Sequence, residues 1–306
     1  MQQFKQIRKY RLSHSLLKKH ENQFAIFGLL FGAVCWGVIW YPYRIMQEAG
    51  VSGVASSFYT YVIAVGIFAV ILFKQWRATI HQPKVIVWLA IVAGWTNLSY
   101  VLAIIDGEVM RVMLLFYLSP LWTLIMAHFW LKERTNRRGV AVIILSLIGA
   151  FTMFWQDGAL PLPNNNAEWL ALSAGMGFAL TNVITRYASN LTLTAKSMAV
   201  WVGVLLMSLV FIVFQDAPFP NPMDMNVTQW LLMVFIALLL MGATLFVQYG
   251  ITHIPVTKAS VLFMFELVVA AVASYFLTDE TMSAREWLGG ALIVVAALFA
   301  ATNEQA

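Results

Sequence analysis

The sequence predicts an all-α membrane protein with ten transmembrane helices arranged as two inverted repeats of five, and three observations lead to this fold class. Of the 306 residues, 61% are hydrophobic and 11% are charged, against about 45–50% and about 25% in soluble domains. Apolar stretches of about 20 residues, long enough to cross a hydrocarbon core of about 30 Å, recur along the whole chain. The third observation is that the second half of the chain repeats residue patterns of the first.

Polar or turn-forming segments divide the chain into ten apolar stretches. We predict transmembrane helices at residues 24–46, 53–73, 85–105, 109–131, 139–155, 168–187, 197–214, 229–250, 255–277 and 286–302. Short polar breaks at 106–108 and 253–255 separate the third span from the fourth and the eighth from the ninth. Both breaks are required, because an apolar stretch such as that from 85 to 131 is too long to cross a membrane once.

The distribution of basic residues supports this count. With the N-terminus in the cytoplasm, 16 of the 19 Lys and Arg residues fall on the cytoplasmic side, as the positive-inside rule requires. Only Arg44, Arg111 and Arg285 fall on the other side. A missing or extra helix would scramble this asymmetry, so we predict that both termini are cytoplasmic. The net charge of +5 belongs to loops and does not indicate nucleic-acid binding.

Sequence features outside the spans suggest the domain boundaries. The first apolar stretch is too long for a signal-peptide core and lacks a cleavage pattern, so residues 1–22 are predicted to remain as a basic tail, either solvated or in contact with anionic lipid. A segment at 157–167 that contains Pro, Gly and Asn separates a first repeat at 23–156 from a second at 168–303. The single cysteine, Cys35, excludes an intramolecular disulfide.

The internal repeat is visible at an offset of 147 residues. This offset places residues 114–120 of the fourth span over residues 261–267 of the ninth, and it pairs Arg111 with Lys258 and Glu133 with Glu280. A shorter offset of 142 places Trp36 over Phe178 and Arg44 over Arg186. Because five is an odd number, the second repeat crosses the membrane in the opposite direction to the first. Inverted repeats are typical of secondary transporters, whose substrate site lies near the midplane between the halves.

The motifs of both halves resemble the EamA family of the drug/metabolite transporter superfamily over residues 24–155 and 168–302. The matching residues are Cys35-Trp36-Gly37, then Leu118-Ser119-Pro120 with Glu133, and then Phe265-Glu266 with Glu280 and Gly289. In the second half, Leu267 stands where the family usually has a proline after the glutamate. The resemblance implies a carrier of metabolites in a bacterial inner (plasma) membrane, often an exporter of amino acids or related compounds, which works without ATP hydrolysis.

Glu266 is the main candidate for a transport residue, because it is the only carboxylate within the interior of a predicted span. A charge at the centre of a bilayer costs at least about 2.5–3.5 kcal/mol on insertion scales. We therefore expect it to be protonated part of the time, paired, or in a wet cavity. It is a candidate proton site or partner for a substrate amine, and a purely structural glutamate is the alternative.

Other candidates for substrate binding or coupling are polar or aromatic residues at middle depths of the spans. They are Ser119, Tyr117, Asn97, Tyr100, Asn182, Trp36 and Trp40. Polar groups in a membrane need partners, so the polar members are expected to face the helix bundle. Hydrogen bonds between helices, and packing for the aromatic residues, are the structural alternatives for each of them. We expect a central cavity lined by the first, third, fourth, sixth, eighth and ninth spans.

We therefore predict a secondary transporter of a small metabolite that works by alternating access, with proton coupling as the working mechanism. A membrane-embedded enzyme and a membrane protein without transport activity are the alternatives. The chain lacks the HExxH, CxxC and GxSxG motifs and any phosphate-cradling Gly-rich loop, so we expect no enzyme activity, no cofactor and no metal. The expected partners are a small-molecule substrate, the lipid bilayer and protons, with no nucleic acid, in a monomer or homodimer.

Overall fold

Ten helices are long and apolar enough to cross a membrane in the part of the chain that the structure describes, which confirms the predicted number of spans. The structure is a computed structural model that describes residues 2–72, 83–107, 109–155, 162–214, 221–277 and 282–302. All regular elements within these residues are helical. Glu280 of the predicted repeat and residues 157–161 of the linker lie outside the described residues.

We number the transmembrane helices α1 to α10 in chain order and use a and b for the two halves of a broken helix. The helices are α1 (Gln2–Glu48), α2 (Gly53–Leu72), α3 (Pro83–Asp106), α4a (Val109–Phe116), α4b (Ser119–Met126), α5 (Arg137–Phe154), α6 (Asn166–Tyr187), α7 (Leu193–Phe214), α8 (Val227–His253), α9a (Val256–Phe263), α9b (Phe265–Leu277) and α10 (Ala284–Thr302). A π-helical turn, Ala127–Leu131, extends α4b.

The fourth and ninth spans differ from the prediction, because each was expected to be one continuous helix and each is broken near its middle. The first break lies at residues 117–118 and the second at Met264. The two breaks are equivalent under the offset of 147 residues. Proline explains the first break, because Pro120 has no N–H to donate to the carbonyl of Phe116.

The packing of the helices confirms the inverted repeat. Helix α1 packs against α8 and α9b, whereas its counterpart α6 packs against α3 and α4b. Helices α5 and α10, which end the two repeats, pack against each other. Small residues allow the closest of these approaches: a Cβ atom at Gly28 of α1 would lie 2.7 Å from the carbonyl oxygen of Phe246 in α8. Each repeat therefore packs mainly against helices of the other one.

Asparagine caps set the beginning of three helices. The side chain of Asn136 accepts from the N–H of Gly139 at 2.7 Å at the start of α5, and that of Asn165 accepts from the N–H of Glu168 at 2.9 Å at the start of α6. At the start of α8, Asn226 forms a reciprocal capping box with Gln229. These caps satisfy backbone donors that would otherwise lack partners at the membrane surface.

We name the two ends of the bundle by the charges that the topology places there. The basic face is the end of the bundle at which the first span begins with Lys19 and the tenth ends with Thr302. It is named for the excess of Lys and Arg that the sequence analysis assigns to this side. The other end is called the opposite face. Both the start of α1 and the end of α10 belong to the basic face, because the number of crossings is even.

Candidate functional site

The two broken helices meet at a tyrosine and a carboxylate. Glu266 lies in the first turn of α9b, immediately after the break at Met264. The hydroxyl of Tyr117, in the break of α4, forms a side-chain hydrogen bond with Glu266. Tyr117 is buried and Glu266 is half-buried. The helix dipole favours negative charge at the N-terminus of a helix, so the α9b terminus and the tyrosine both stabilise the ionised carboxylate.

Short turns replace the regular helical hydrogen bonds at both breaks. In α4, the N–H of Leu118 donates to the carbonyl of Leu115 at 3.3 Å, and the N–H of Leu121 donates to Leu118 at 2.9 Å. In α9, the N–H of Met264 donates to Val261 at 3.1 Å, and that of Leu267 donates to Met264 at 3.1 Å. Such interruptions at the midplane are the usual way in which transporters bring backbone dipoles and side chains to a binding site.

Aromatic rings form a layer beside this junction. The ring of Trp36 in α1 lies 6.2 Å from Phe263 in α9a, and the ring of Phe178 in α6 lies 5.6 Å from Phe116 in α4a. These two pairs are equivalent under the repeat, and Phe178 and Phe263 join them at 5.3 Å. Tyr100 of α3 extends the layer, with its ring 4.9 Å from Phe116. The layer therefore connects five helices from both repeats.

Tyr100 also belongs to the environment of the carboxylate, since it interacts electrostatically with both Glu266 and Tyr117. Within the described residues, Glu266 is the only carboxylate at this depth of the bundle. No lysine or arginine of the described chain lies at the same depth. The site thus combines one acidic group, two phenols and several aromatic faces.

Two glycines allow neighbouring helices to approach the breaks closely. A Cβ atom at Gly37 of α1 would lie 2.9 Å from the carbonyl oxygen of Glu266 and 2.7 Å from the Cβ of Val269. A Cβ atom at Gly175 of α6 would collide with the carbonyl group of Phe116. Each break is thus closely approached by a helix of the other repeat at a glycine.

The remaining predicted site residues lie at several places around this junction. Ser119 is buried at the start of α4b, and its carbonyl accepts from the hydroxyl of Thr123 at 2.9 Å. Asn97 is half-buried on α3. Trp40 lies one turn from Trp36 along α1 and packs against Tyr41 at 5.7 Å. The structure thus brings together Glu266, Tyr117 and Tyr100, with Trp36 in the adjoining layer.

Asn182 lies closer to the basic face than the other candidates. It is buried on α6, and its amide nitrogen has no hydrogen-bond partner in the described part of the chain. The side-chain amide oxygen of Gln248 on α8 is likewise buried and has no hydrogen-bond partner in the described part of the chain. In the part of the chain that the structure describes, these two amides and the hydroxyls of Thr181 and Thr185 are buried groups without a partner between the aromatic layer and the basic face.

A polar cluster at the basic face was not predicted as a unit. The guanidinium of Arg186 pairs with the carboxylate of Glu133 at 2.9 Å and donates to the carbonyl of Thr252. The second oxygen of Glu133 accepts from the N–H of Val256 at 3.1 Å. The ammonium of Lys196 donates to the hydroxyl of Thr252 at 2.6 Å. The cluster therefore connects the ends of α4 and α6 with α7 and with the junction between α8 and α9.

Lys196 shows why the sequence did not reveal this cluster. It was assigned to a loop, because the seventh span was predicted to begin at 197, but α7 begins at Leu193. The side chain is fully buried and also donates to the carbonyl of Thr185 at 3.3 Å. A lysine that follows a polar segment resembles a surface residue in sequence, and only the packing of α6 and α8 around it buries the charge.

An ion pair also joins α4 and α6 at the opposite face. Arg111 binds both carboxylate oxygens of Glu168, at 2.7 and 2.9 Å, and donates to the carbonyl of Leu162 at 3.1 Å. These contacts of Arg111 join the beginning of α4 to the beginning of α6. Its repeat counterpart Lys258 is buried, and its ammonium lies 3.4 Å from the carbonyl of Ala301.

The described residues contain no group of three or more His, Cys, Asp or Glu side chains that could hold a metal ion. Ten membrane-crossing helices in an inverted repeat, with two broken helices that meet at a carboxylate, form the architecture of a polytopic membrane transporter. The chain belongs to the EamA-like transporter family, which it matches over residues 23–155 and 165–302.

Individual relatives agree with this assignment. An uncharacterized transporter of Pseudomonas aeruginosa is 26% identical over 148 residues, which cover 47% of each chain. An uncharacterized transporter of Archaeoglobus fulgidus is 23% identical over 72% of this chain and 77% of that protein. Protein RarD of Escherichia coli is 24% identical over 37% of this chain and 38% of that protein. The chain thus spans about half the length of the Pseudomonas relative that it matches.

A solved crystal structure shares the fold. It superposes with a TM-score of 0.72 at 17% sequence identity and covers 90% of this chain and 96% of that one. The shared architecture extends over both repeats.

Proposed function

We propose that this membrane transporter moves a small metabolite by alternating access and that Glu266 is the group that couples the movement to protons. The observation that supports this most directly is the meeting of two broken helices at the Tyr117–Glu266 hydrogen bond. Broken helices at the centre of an inverted repeat are where secondary transporters bind substrates and coupling ions. The position of Tyr117 and Glu266 between the broken helices therefore supports the proposed alternating-access mechanism.

The chemistry of the carboxylate supports a coupling role. An ionised Glu266 is stabilised by Tyr117 and by the N-terminus of α9b, whereas a protonated Glu266 avoids the cost of a charge in the membrane. Two states of similar free energy are what a group that binds and releases a proton in each cycle requires. A substrate ammonium group would compete with the proton for the same carboxylate, and the aromatic layer would favour it through cation–π attraction.

The direction of transport and the substrate class are proposed on the basis of the family. We propose an exporter of amino acids or related compounds, in which protons enter as the substrate leaves. An amino acid carries an ammonium group that could bind Glu266 and, in aromatic members, a ring that could stack in the layer.

We propose that the protein lies in a bacterial inner (plasma) membrane with both termini in the cytoplasm, so that the basic face is the cytoplasmic one. This orientation rests on the positive-inside rule. Single cysteines at the exposed positions Asn164 and Arg138, in a Cys35→Ser background, test it. An impermeant thiol reagent applied to intact cells should label the cysteine at 164 and leave that at 138 unlabelled; the reverse pattern would contradict the orientation.

The transport activity itself is tested by untargeted comparison of metabolites inside and outside cells that produce the wild type, Glu266→Gln or Glu48→Gln. Glu48 is a suitable control because it forms an exposed pair with Arg44 at 3.3 Å on the opposite face, and such pairs contribute little. We expect the wild type and Glu48→Gln to shift the same metabolites outward and Glu266→Gln to shift none. Absence of any shift with the wild type would reject the proposed export activity.

Proton coupling is tested with the identified solute in reconstituted vesicles. Glu266→Gln removes the titration, so a pH gradient should no longer drive accumulation, whereas counterflow, which needs no net proton movement, should continue. If the glutamine variant retains the pH dependence of the wild type, Glu266 is not the coupling group. Reduced protein in the membrane with unchanged coupling would indicate a structural glutamate.

A further inference from the structure

The polar cluster at the basic face has a structure suited to closing one end of the bundle. Glu133 and Arg186 join α4 to α6, and each of them makes a second contact with the α8–α9 junction: Arg186 with the carbonyl of Thr252, and Glu133 with the N–H of Val256. The hydroxyl of Thr135 also lies 3.4 Å from that of Thr257. We call these contacts the basic-face clamp, formed by Glu133, Thr135, Arg186, Thr252, Val256 and Thr257.

The repeat provides a comparison for the clamp at the other end of the molecule. Arg44 of α1 corresponds to Arg186 of α6, but its guanidinium bonds Glu48 of its own helix at 3.3 Å. Both side chains of that pair are largely exposed, at 53% and 68%, against 26% and 20% for Arg186 and Glu133. Among the described residues, the arginine at this position of the repeat therefore crosslinks helices at the basic face and bonds within its own helix at the opposite face. Glu280, the repeat counterpart of Glu133, lies outside the described residues.

Unsatisfied polar atoms lie immediately behind the clamp. Asn182 and Gln248 each lie four residues, about 6 Å, further into the membrane than Arg186 and Thr252 respectively. The buried amide nitrogen of Asn182 and amide oxygen of Gln248 have no partner in the described part of the chain, and the same is true of the hydroxyls of Thr181 and Thr185. Unpaired buried polar groups are costly, so a state in which water or solute reaches them compensates this cost.

We propose that the basic-face clamp is a gate: the described conformation is closed at the basic face, and release of the α8–α9 junction from Glu133 and Arg186 opens a polar passage lined by Thr181, Asn182, Thr185 and Gln248. This proposal rests on the alternating access of the proposed function, although it concerns a different set of residues from Glu266. The passage presents amide and hydroxyl groups, with the cations Arg186 and Lys196 at its mouth. It therefore suits a polar solute that carries an anionic group.

The gate is tested by the accessibility of a reporter cysteine, which needs no knowledge of the substrate. Asn182→Cys in the Cys35→Ser background is placed behind the clamp, and a negatively charged, impermeant methanethiosulfonate reagent is applied to sealed vesicles of either orientation. With the clamp intact, labelling from the side that labels Arg138→Cys should be slow. Glu133→Gln or Arg186→Gln should accelerate it on the order of tenfold or more, because each variant removes a charge-assisted contact of the closed state only.

Arg44→Gln is the matched control, since it removes the equivalent arginine from a pair outside the clamp, and it should leave the labelling rate unchanged. Arg186→Lys keeps the positive charge and replaces the glutamine variants if these reach the membrane in low amounts. It should give a labelling rate between those of the wild type and Arg186→Gln. Equal rates in wild type, Glu133→Gln and Arg186→Lys would reject the gate and leave a structural ion pair.

A disulfide provides the converse test. Thr135→Cys with Thr257→Cys, added to the Glu133→Gln reporter protein and oxidised by copper phenanthroline in air, should restore slow labelling of the cysteine at 182. Reduction of this disulfide, followed by removal of the reductant before the reagent is added, should restore rapid labelling at 182, which peptide mapping distinguishes from labelling at 135 and 257. Rapid labelling with the crosslink fully formed would overturn the proposal. If instead the labelling results are as expected but the wild type moves no metabolite, the gate stands and the proposed export activity fails.

Discussion

The breaks in α4 and α9 occupy equivalent positions of the repeat but contain different chemistry. The α4 break carries Tyr117, Ser119 and Pro120, and the proline removes one backbone donor. The α9 break carries Met264, Glu266 and Leu267, and the N–H of Leu267 donates to Met264 at 3.1 Å. One break is thus imposed by a proline, whereas the other forms without one.

The difference separates what the repeat needs for its architecture from what it uses for function. Both halves keep the broken helix, and in both a glycine of the other repeat approaches the break, Gly175 in one case and Gly37 in the other. Only one half carries the acid, and the tyrosine that binds it comes from the other half. The symmetric features therefore position the site, and the asymmetric residues supply its chemistry.

The largest effects on stability are expected at the two glycines that lie against the breaks. Gly37→Ala places a methyl group against the side chain of Val269 and the carbonyl oxygen of Glu266, and Gly175→Ala places one against the backbone of Phe116. Overpacking of this kind costs about 1–3 kcal/mol. Gly242→Ala is the control, because no atom lies within 4 Å of its Cβ position and alanine favours a helix by about 0.5–1 kcal/mol. Thermal unfolding in detergent should show two destabilised variants and one that is unchanged or more stable. Equal stability of all three would contradict close contact at the breaks.

An intermediate effect is expected from the tyrosines. Tyr117→Phe removes the hydrogen bond to Glu266, and hydrogen bonds to charged groups contribute about 1.5–3 kcal/mol, so proton-driven transport should slow roughly tenfold or more. Tyr100→Phe removes a phenol that interacts with Glu266 electrostatically, and its effect should be smaller. Initial rates in vesicles, normalised to the amount of protein, measure both. If Tyr100→Phe slows transport more than Tyr117→Phe does, then Tyr100 and not Tyr117 makes the direct contact with Glu266.

The smallest effect on stability is expected when the proline at the α4 break is replaced. Pro120→Ala returns a backbone donor to α4b, so stability should rise by less than about 1 kcal/mol while transport slows, because a continuous helix is stiffer. The equivalent change in the other half, Leu267→Pro, removes a donor that is bonded and a side chain that is 1% exposed, so it should destabilise the protein. Similar behaviour of the two variants would show that the breaks do not differ in origin.

The sequence by itself determined the ten crossings, the basic face and the inverted repeat. Hydrophobic length and the side on which charged residues fall are properties of single segments, and the bilayer acts on each segment separately. The prominence of Glu266 was also visible, because a carboxylate in an apolar stretch stands out without any knowledge of its neighbours.

Only the tertiary structure decided how these segments meet. Tyr117 and Glu266 lie in different repeats, and no proline near Met264 indicates the break there in the sequence. The clamp depends on helix ends that come together across the bundle, and the burial of Lys196 depends on α6 and α8 packing around it. Such contacts arise from the packing of distant surfaces, whose free energy is a property of the assembled bundle and not of any one stretch of sequence.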